Sequence, residues 1–187
     1  MLFMSLLLNF LVAGIAITSI VPAERNEVSG DKYAKRDIGE DDSESVLVEY
    51  SSSVQVSIEK KFSLIVENCK TGHYDVVKSA LEEITHKFAE LNEQCHQGIS
   101  FEYDEVVEFT HKFISVLLKF QAILTVIKTH PFIADKCGVE LFKCGYELNE
   151  IFKFILSYKI DFKSLTISVG IDYRVFAGIG FSIPHIG

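Results

Sequence analysis

The residues best suited to chemistry stand in a repeated hexapeptide, Glu83-Ile84-Thr85-His86-Lys87-Phe88 and Glu108-Phe109-Thr110-His111-Lys112-Phe113. Each copy places an E-x-x-H motif on a stretch of helical periodicity. Di-iron bundles hold their metals with two such motifs plus an inward glutamate from each of two further helices. Orientation decides against that chemistry here. His86 is two residues from both Ile84 and Phe88, about 200° round the helix from the apolar stripe, and so faces outward. His111 falls on the polar line of its own helix. Glu140, Glu147 and Glu150 are placed off the core stripe of the next long helix, which leaves no inward carboxylate to complete a site. Surface ion pairing at i, i+3 is the expected use of both motifs, with no metal.

The four cysteines, Cys69, Cys95, Cys137 and Cys144, are even in number and all lie well inside the chain. That pattern suits an oxidising compartment and two disulfides. No C-x-x-C or H-x-x-H pair offers the close spacing of a structural zinc site. If Cys137 and Cys144 share a helix, seven residues set their Cα atoms about 10 Å apart, too far to bridge each other. Chain direction then suggests Cys69 with Cys137 and Cys95 with Cys144.

Other catalytic arrangements find no support. No G-x-S-x-G elbow occurs, no paired carboxylates stand in an apolar setting, and no glycine-rich loop links a strand to a helix. His73, His96, His130 and His185 are scattered. A non-enzymatic protein without cofactors is therefore expected. The chain carries a formal net charge of −8, and no basic patch with interleaved aromatics could neutralise phosphates, which argues against nucleic acid.

Met1 to Ile20 is an apolar run, followed by Val21-Pro22-Ala23. Short residues at the third and first positions before the break favour cleavage after Ala23, so residues 1–23 read as a signal peptide and the protein as secreted. The same run could just span a bilayer if retained. Lys35-Arg36 is a dibasic pair in a polar stretch that a convertase could reach, leaving Asp37 as the terminus; two solvated linker charges are the alternative. Residues 24–53 read as a disordered propeptide or linker, acidic and then serine-rich.

The elements that would position these residues are helices. Among 187 residues, 48% are hydrophobic, enough for one real core. Val54, Ile58, Phe62, Ile65, Val66 and Cys69 form the stripe of a first helix, with a short strand over 54–58 the competing reading, and Gly72 is placed to cap that helix. A second, cleanly amphipathic helix runs from about His73 to His96, with Val77, Leu81, Ile84, Phe88 and Leu91 on one side. The third, over 101–128, is apolar round most of its circumference. Only Asp104, Glu108, His111 or Lys112, Ser115 and Lys119 form a polar line, so this helix is expected at the centre, covered by the second and fourth. Thr129 can cap the fourth helix, which has Pro131 in its first turn and continues to about Ile160. Gly138 and Gly145 each follow a cysteine, and a close backbone approach at the bridged face would compensate the cost of glycine in a helix. Short connections imply antiparallel neighbours. The expected fold is all-α: an antiparallel, disulfide-bridged four-helix bundle over 54–160, with an irregular or short-strand C-terminal tail over 161–187.

Within that tail, Leu165, Ile167, Val169, Ile171, Tyr173 and Val175 alternate strictly with polar residues or glycine, the period of a strand. Helix or disorder are the alternatives. The run Phe176 to Ile183 could lie on a membrane, although Asp172 and Arg174 interrupt any span.

The signal peptide, the Lys35-Arg36 pair, the helix with Cys137-Gly138 and Cys144-Gly145, and the apolar tail ending Gly178-Ile-Gly-Phe181 together resemble the small, secreted, helix-rich, effector-like proteins of plant-associated basidiomycete fungi. That resemblance implies an extracellular, non-enzymatic protein whose partner is a host protein or a cell-wall component. An interaction protein is accordingly the first functional expectation. A carrier of a fatty acid or sterol among the fifteen phenylalanines, or a membrane-active protein using its tail, are the alternatives. After signal cleavage no integral membrane segment is expected.

Overall fold

The structure, a computed structural model, describes residues 45–98 and 100–181. The segments read as signal peptide and dibasic site, with Ala23, Lys35 and Arg36, lie outside the described residues. Among the described residues seven helices occur in order: α1 (Val46–Thr71), α2 (Tyr74–His96), α3 (Tyr103–Lys128), α4 (Pro131–Lys136), α5 (Gly138–Ser157), α6 (Phe162–Ser168) and α7 (Tyr173–Ala177). No strand occurs among the described residues.

Helix α1 starts at Val46, eight residues earlier than the stripe from Val54 suggests, so the linker does not extend to residue 53. Leu47 and Val48 are buried on the same face as Val54 and Ile58. The intervening serines satisfy themselves locally: Ser51 Oγ donates to the Leu47 carbonyl at 2.8 Å and Ser52 Oγ to that of Val48 at 3.0 Å, which removes the cost of burying a hydroxyl. Gly72 then caps α1 as expected, with φ 79° and its following amide returned to Asn68. This left-handed position favours glycine.

Lys61 meets Glu83 at 2.6 Å across the α1–α2 hairpin. The next connections depart from an arrangement of purely antiparallel neighbours. Helix α3 packs on α1 and runs parallel to it: Lys119 pairs with Glu59, and Cys69 to Thr71 end beside Thr129 to Ile133. Helix α5 packs on α2 and is likewise parallel, since Tyr74, Thr85 and Asn92 meet Cys137, Cys144 and Glu147 in that order. The bundle is therefore ordered α3, α1, α2, α5 around its axis. Chain direction alternates, but the α2–α3 connection crosses the diagonal. The central helix α3 is covered by α1 and the tail, not by the second and fourth helices. It reaches α2 only across the interior, where Phe88 and Phe120 meet edge to face at 5.2 Å. Its length and composition would suffice to cross a membrane. Here Val106, Phe109, Phe113, Leu117, Phe120 and Ile123 are fully buried in the core.

The continuous fourth helix is interrupted at Cys137, where φ −99° and ψ 9° separate α4 from α5. Thr129 closes α3, and His130 precedes Pro131 at the start of α4. The described part of the tail, to Phe181, is built of short helices and turns and not of a strand. A lone strand would leave an unpaired edge, whereas Asp161 and Asp172 each accept an amide two or three residues on and open the short helices α6 and α7. Phe162, Phe176 and Phe181 are buried between α3 and α5. Phe162 lies 6.4 Å from Phe113 and 4.8 Å from Phe152; Phe181 lies 5.9 Å from Phe152, and Phe176 6.5 Å from Phe120. Each such ring contributes about 2–3 kcal/mol through burial.

Gly145 explains how the tail approaches α5. A Cβ at this position would overlap the carbonyl group of Ile179, whereas one at Gly138 would meet open space. The close approach is thus to the tail and not to a bridged face. Gly145→Ala should lower stability by about 1–3 kcal/mol despite its higher helix propensity, and Gly138→Ala should leave it unchanged or raise it. Thermal denaturation of the two variants checks the contrast; equal effects would contradict it.

Candidate functional site

The hexapeptide histidines stand apart. His86 is exposed and pairs with Glu90 at 3.2 Å, while Glu83 turns to Lys61. His111 is exposed on α3, and Thr110 beside it is buried, its hydroxyl donating to the Val106 carbonyl at 2.7 Å. In the first motif Glu83 and His86 thus pair with other residues and not with each other, and among the described residues no group of three or more His, Cys, Asp or Glu is placed to hold a metal ion. Glu140 departs from expectation. It is 3% exposed, not off the core face, and its carboxylate meets Lys78 at 3.5 Å where α5 crosses α2. Lys78 keeps contact with solvent, so this is a half-buried pair that anchors the crossing.

All four cysteines are buried free thiols in the structure. Cys69 and Cys137 lie at the same end of the bundle, where Cys69 stands beside Ile133 and Cys137 meets the Tyr74 carbonyl, but they are not bridged. Cys144 instead contacts the Thr85 hydroxyl at 3.0 Å. Cys95 stands ten residues further along α2 than Thr85, about 15 Å, so Cys95 and Cys144 are not brought together. Burial pushes the thiols of Cys95 and Cys144 up to about 12. Burial first, and then the charge of Glu140, pushes Cys137 up to about 11; Cys69 is raised by burial as well. Thiols held protonated at neutral pH are poor nucleophiles.

Two surface hollows stand out among the described residues. One, of about 350 Å³, lies between α1 and α2 and is lined by Glu49, Tyr50, Ser53, Lys87, Glu90 and Glu93. The other, of about 330 Å³, is at the Cys69 end beside Thr129 and Phe132. Both are open to solvent, unlike the enclosed apolar chambers that bury most of a small ligand.

The feature that stands out is on the opposite side of α4 and α5 from their core stripe. Phe132, Val139, Phe142 and Tyr146 are 56%, 64%, 65% and 57% exposed. They succeed one another at seven, three and four residues, which places them on one outward face. The Phe142 ring rests beside Gly180, and Lys136 lies over the Phe132 ring at 5.9 Å. The sequence reading missed this face because it traced a single apolar stripe per helix. The signal was a second one, 132-139-146, running beside 134-137-141-144-148. No family model, curated protein or solved structure matches the chain.

The raised thiols set a pH dependence. In the unfolded chain cysteines ionise near pH 9, whereas in the fold they stay protonated to about 11–12. Folding therefore retains protons that the unfolded chain releases. The thiols' contribution is complete below pH 9 and is lost as pH rises through 11 to 12. Under reducing conditions the thermal midpoint should fall steadily between pH 9 and 11. A flat profile over that interval would contradict thiol burial.

Proposed function

We propose that the chain is a secreted, non-enzymatic interaction protein that works through the outward face of α4 and α5. The observation that carries this reading is the line of Phe132, Val139, Phe142 and Tyr146, more than half exposed. Four large apolar side chains in one row cost solubility unless something covers them, and such patches mark interaction sites. The outward histidines and the protonated, buried thiols favour contact over catalysis. Secretion rests on the pattern of Met1 to Ala23, and the layout shared with small effector-like fungal proteins agrees with it.

In an oxidising compartment the bridge to expect is Cys69–Cys137. Both thiols sit at one end of the bundle, and Cys137 occupies the non-helical joint between α4 and α5, where the backbone can adjust to disulfide geometry. Cys95 and Cys144 then remain thiols. A bridge at that joint would fix the α4–α5 face to α1.

Photo-crosslinking tests the reading. A benzophenone amino acid at Phe142 should capture a discrete partner in the medium into which the protein is secreted, while the same group at Val56, exposed on α1, should not. Capture from neither position, or equally from both, would overturn it.

A further inference from the structure

The outward face of α4 and α5 has an order beyond its apolar character. Phe132, Val139, Tyr146 and Lys153 recur every seven residues, and Asp135, Phe142 and Asn149 recur every seven between them. This is the spacing of the a and d positions of a coiled coil, whose side chains fit between those of a second helix. The two helices keep one phase across their joint, since the Cys137 amide donates to the Ile133 carbonyl at 2.9 Å and the Leu141 amide to that of Cys137 at 3.0 Å. Ile133, Cys137, Cys144, Leu148 and Ile151 accordingly all face the core. The outer seam therefore runs from Phe132 to Lys153, a length of about 30 Å.

We propose that the seam is covered by a second copy of the chain, docked antiparallel about a twofold axis midway between Phe142 and Tyr146. Charge selects this partner and this direction. Asp135 stands near one end of the seam and Lys153 near the other, with Lys136 and Glu150 in matching positions on its rim. A parallel copy would set aspartate on aspartate and lysine on lysine. An antiparallel copy sets Asp135 against Lys153 and Lys136 against Glu150 at both ends, and places Phe142 on Tyr146 twice at the centre. Glu150 already bonds Lys153 within the chain at 2.6 Å, so the copy's Asp135 would join an existing pair. Lys143 faces its own copy near the axis, on the solvated rim where such repulsion is small. Three or four large apolar residues per copy cover less than the roughly 800 Å² per side of a standard stable interface. The dimer is a weak one, forming at about tens to hundreds of micromolar.

This inference rests on the α4–α5 face being the contact surface and names its partner. Sedimentation equilibrium of the secreted chain from about 5 to 500 µM should show the mass rising from monomer toward dimer. Phe142→Glu should abolish the rise. Because Phe142 also touches the tail, Tyr146→Glu serves as the second variant and should do the same with an unchanged circular dichroism spectrum. Asp135→Lys or Lys153→Asp alone should weaken the dimer roughly threefold to tenfold, and the two together should restore it. A monomer at every concentration, or a dimer indifferent to both glutamate variants, overturns the proposal. Failure of the double charge swap to restore association overturns the antiparallel register on which it depends. A strict monomer that still crosslinks from position 142 to another protein overturns the second copy while leaving the contact surface standing.

Discussion

Helices α3 and α5 are linked largely through aromatic rings, and three of those rings belong to the C-terminal segment. Starting from Phe113 on α3, ring contacts pass through Phe162 to Phe152 on α5, then through Phe181 and Phe176 back to Phe120 on α3 and on to Phe88 on α2. Without the tail this side of the bundle would face water with a row of phenylalanines. The rest of the structure depends on that closure. Gly145 lacks a side chain so that the backbone of Ile179 can lie on α5, and Asn149 holds the tail by donating to the Gly180 carbonyl at 2.9 Å. Gln121 secures the other edge, accepting the Asp172 amide at 2.6 Å.

Helices α2 and α3 were legible in the sequence to within a residue or two, because their periodicities are long and their ends carry Gly72 and Pro131. The burial of α3 could be read from its near-continuous apolar circumference. Which helices cover it could not, since chain order alone does not distinguish a bundle whose consecutive helices are neighbours from one whose second connection crosses the diagonal. The alternation from Leu165 to Val175 is a true period of two. It was overridden by two aspartates that open helical turns, and by rings whose partners lie fifty residues upstream. Val46 to Ser53 read as linker because serine is unfavourable in isolated helices, yet Ser51 and Ser52 return their hydroxyls to the preceding turn.

The chemistry-bearing residues divide by burial. The histidines of the hexapeptides are wet, as their angular positions require, and Glu140 is dry because Lys78 reaches it from α2. The cysteines are dry as well, and their depth holds them protonated. On the surface, Phe132, Val139, Phe142 and Tyr146 gather in one row on the outward face of α4 and α5. The tail bears on this face too. Its backbone at Ile179 lies against Gly145 and its Gly180 meets the Phe142 ring, which stands outward beside Tyr146.

Native-state amide exchange of the intact protein tests most directly whether the tail is part of the core. The amide of Ile171, bonded to the Thr166 carbonyl, and that of Asp172, bonded to Gln121, should exchange only through the global unfolding that also releases α3 from Phe113 to Phe120. Their exchange would then respond to denaturant with the same slope as the α3 amides. If the tail amides exchanged by a low-energy local opening insensitive to denaturant while α3 stayed protected, the tail would be an appendage, and closure of the bundle through its rings would be contradicted.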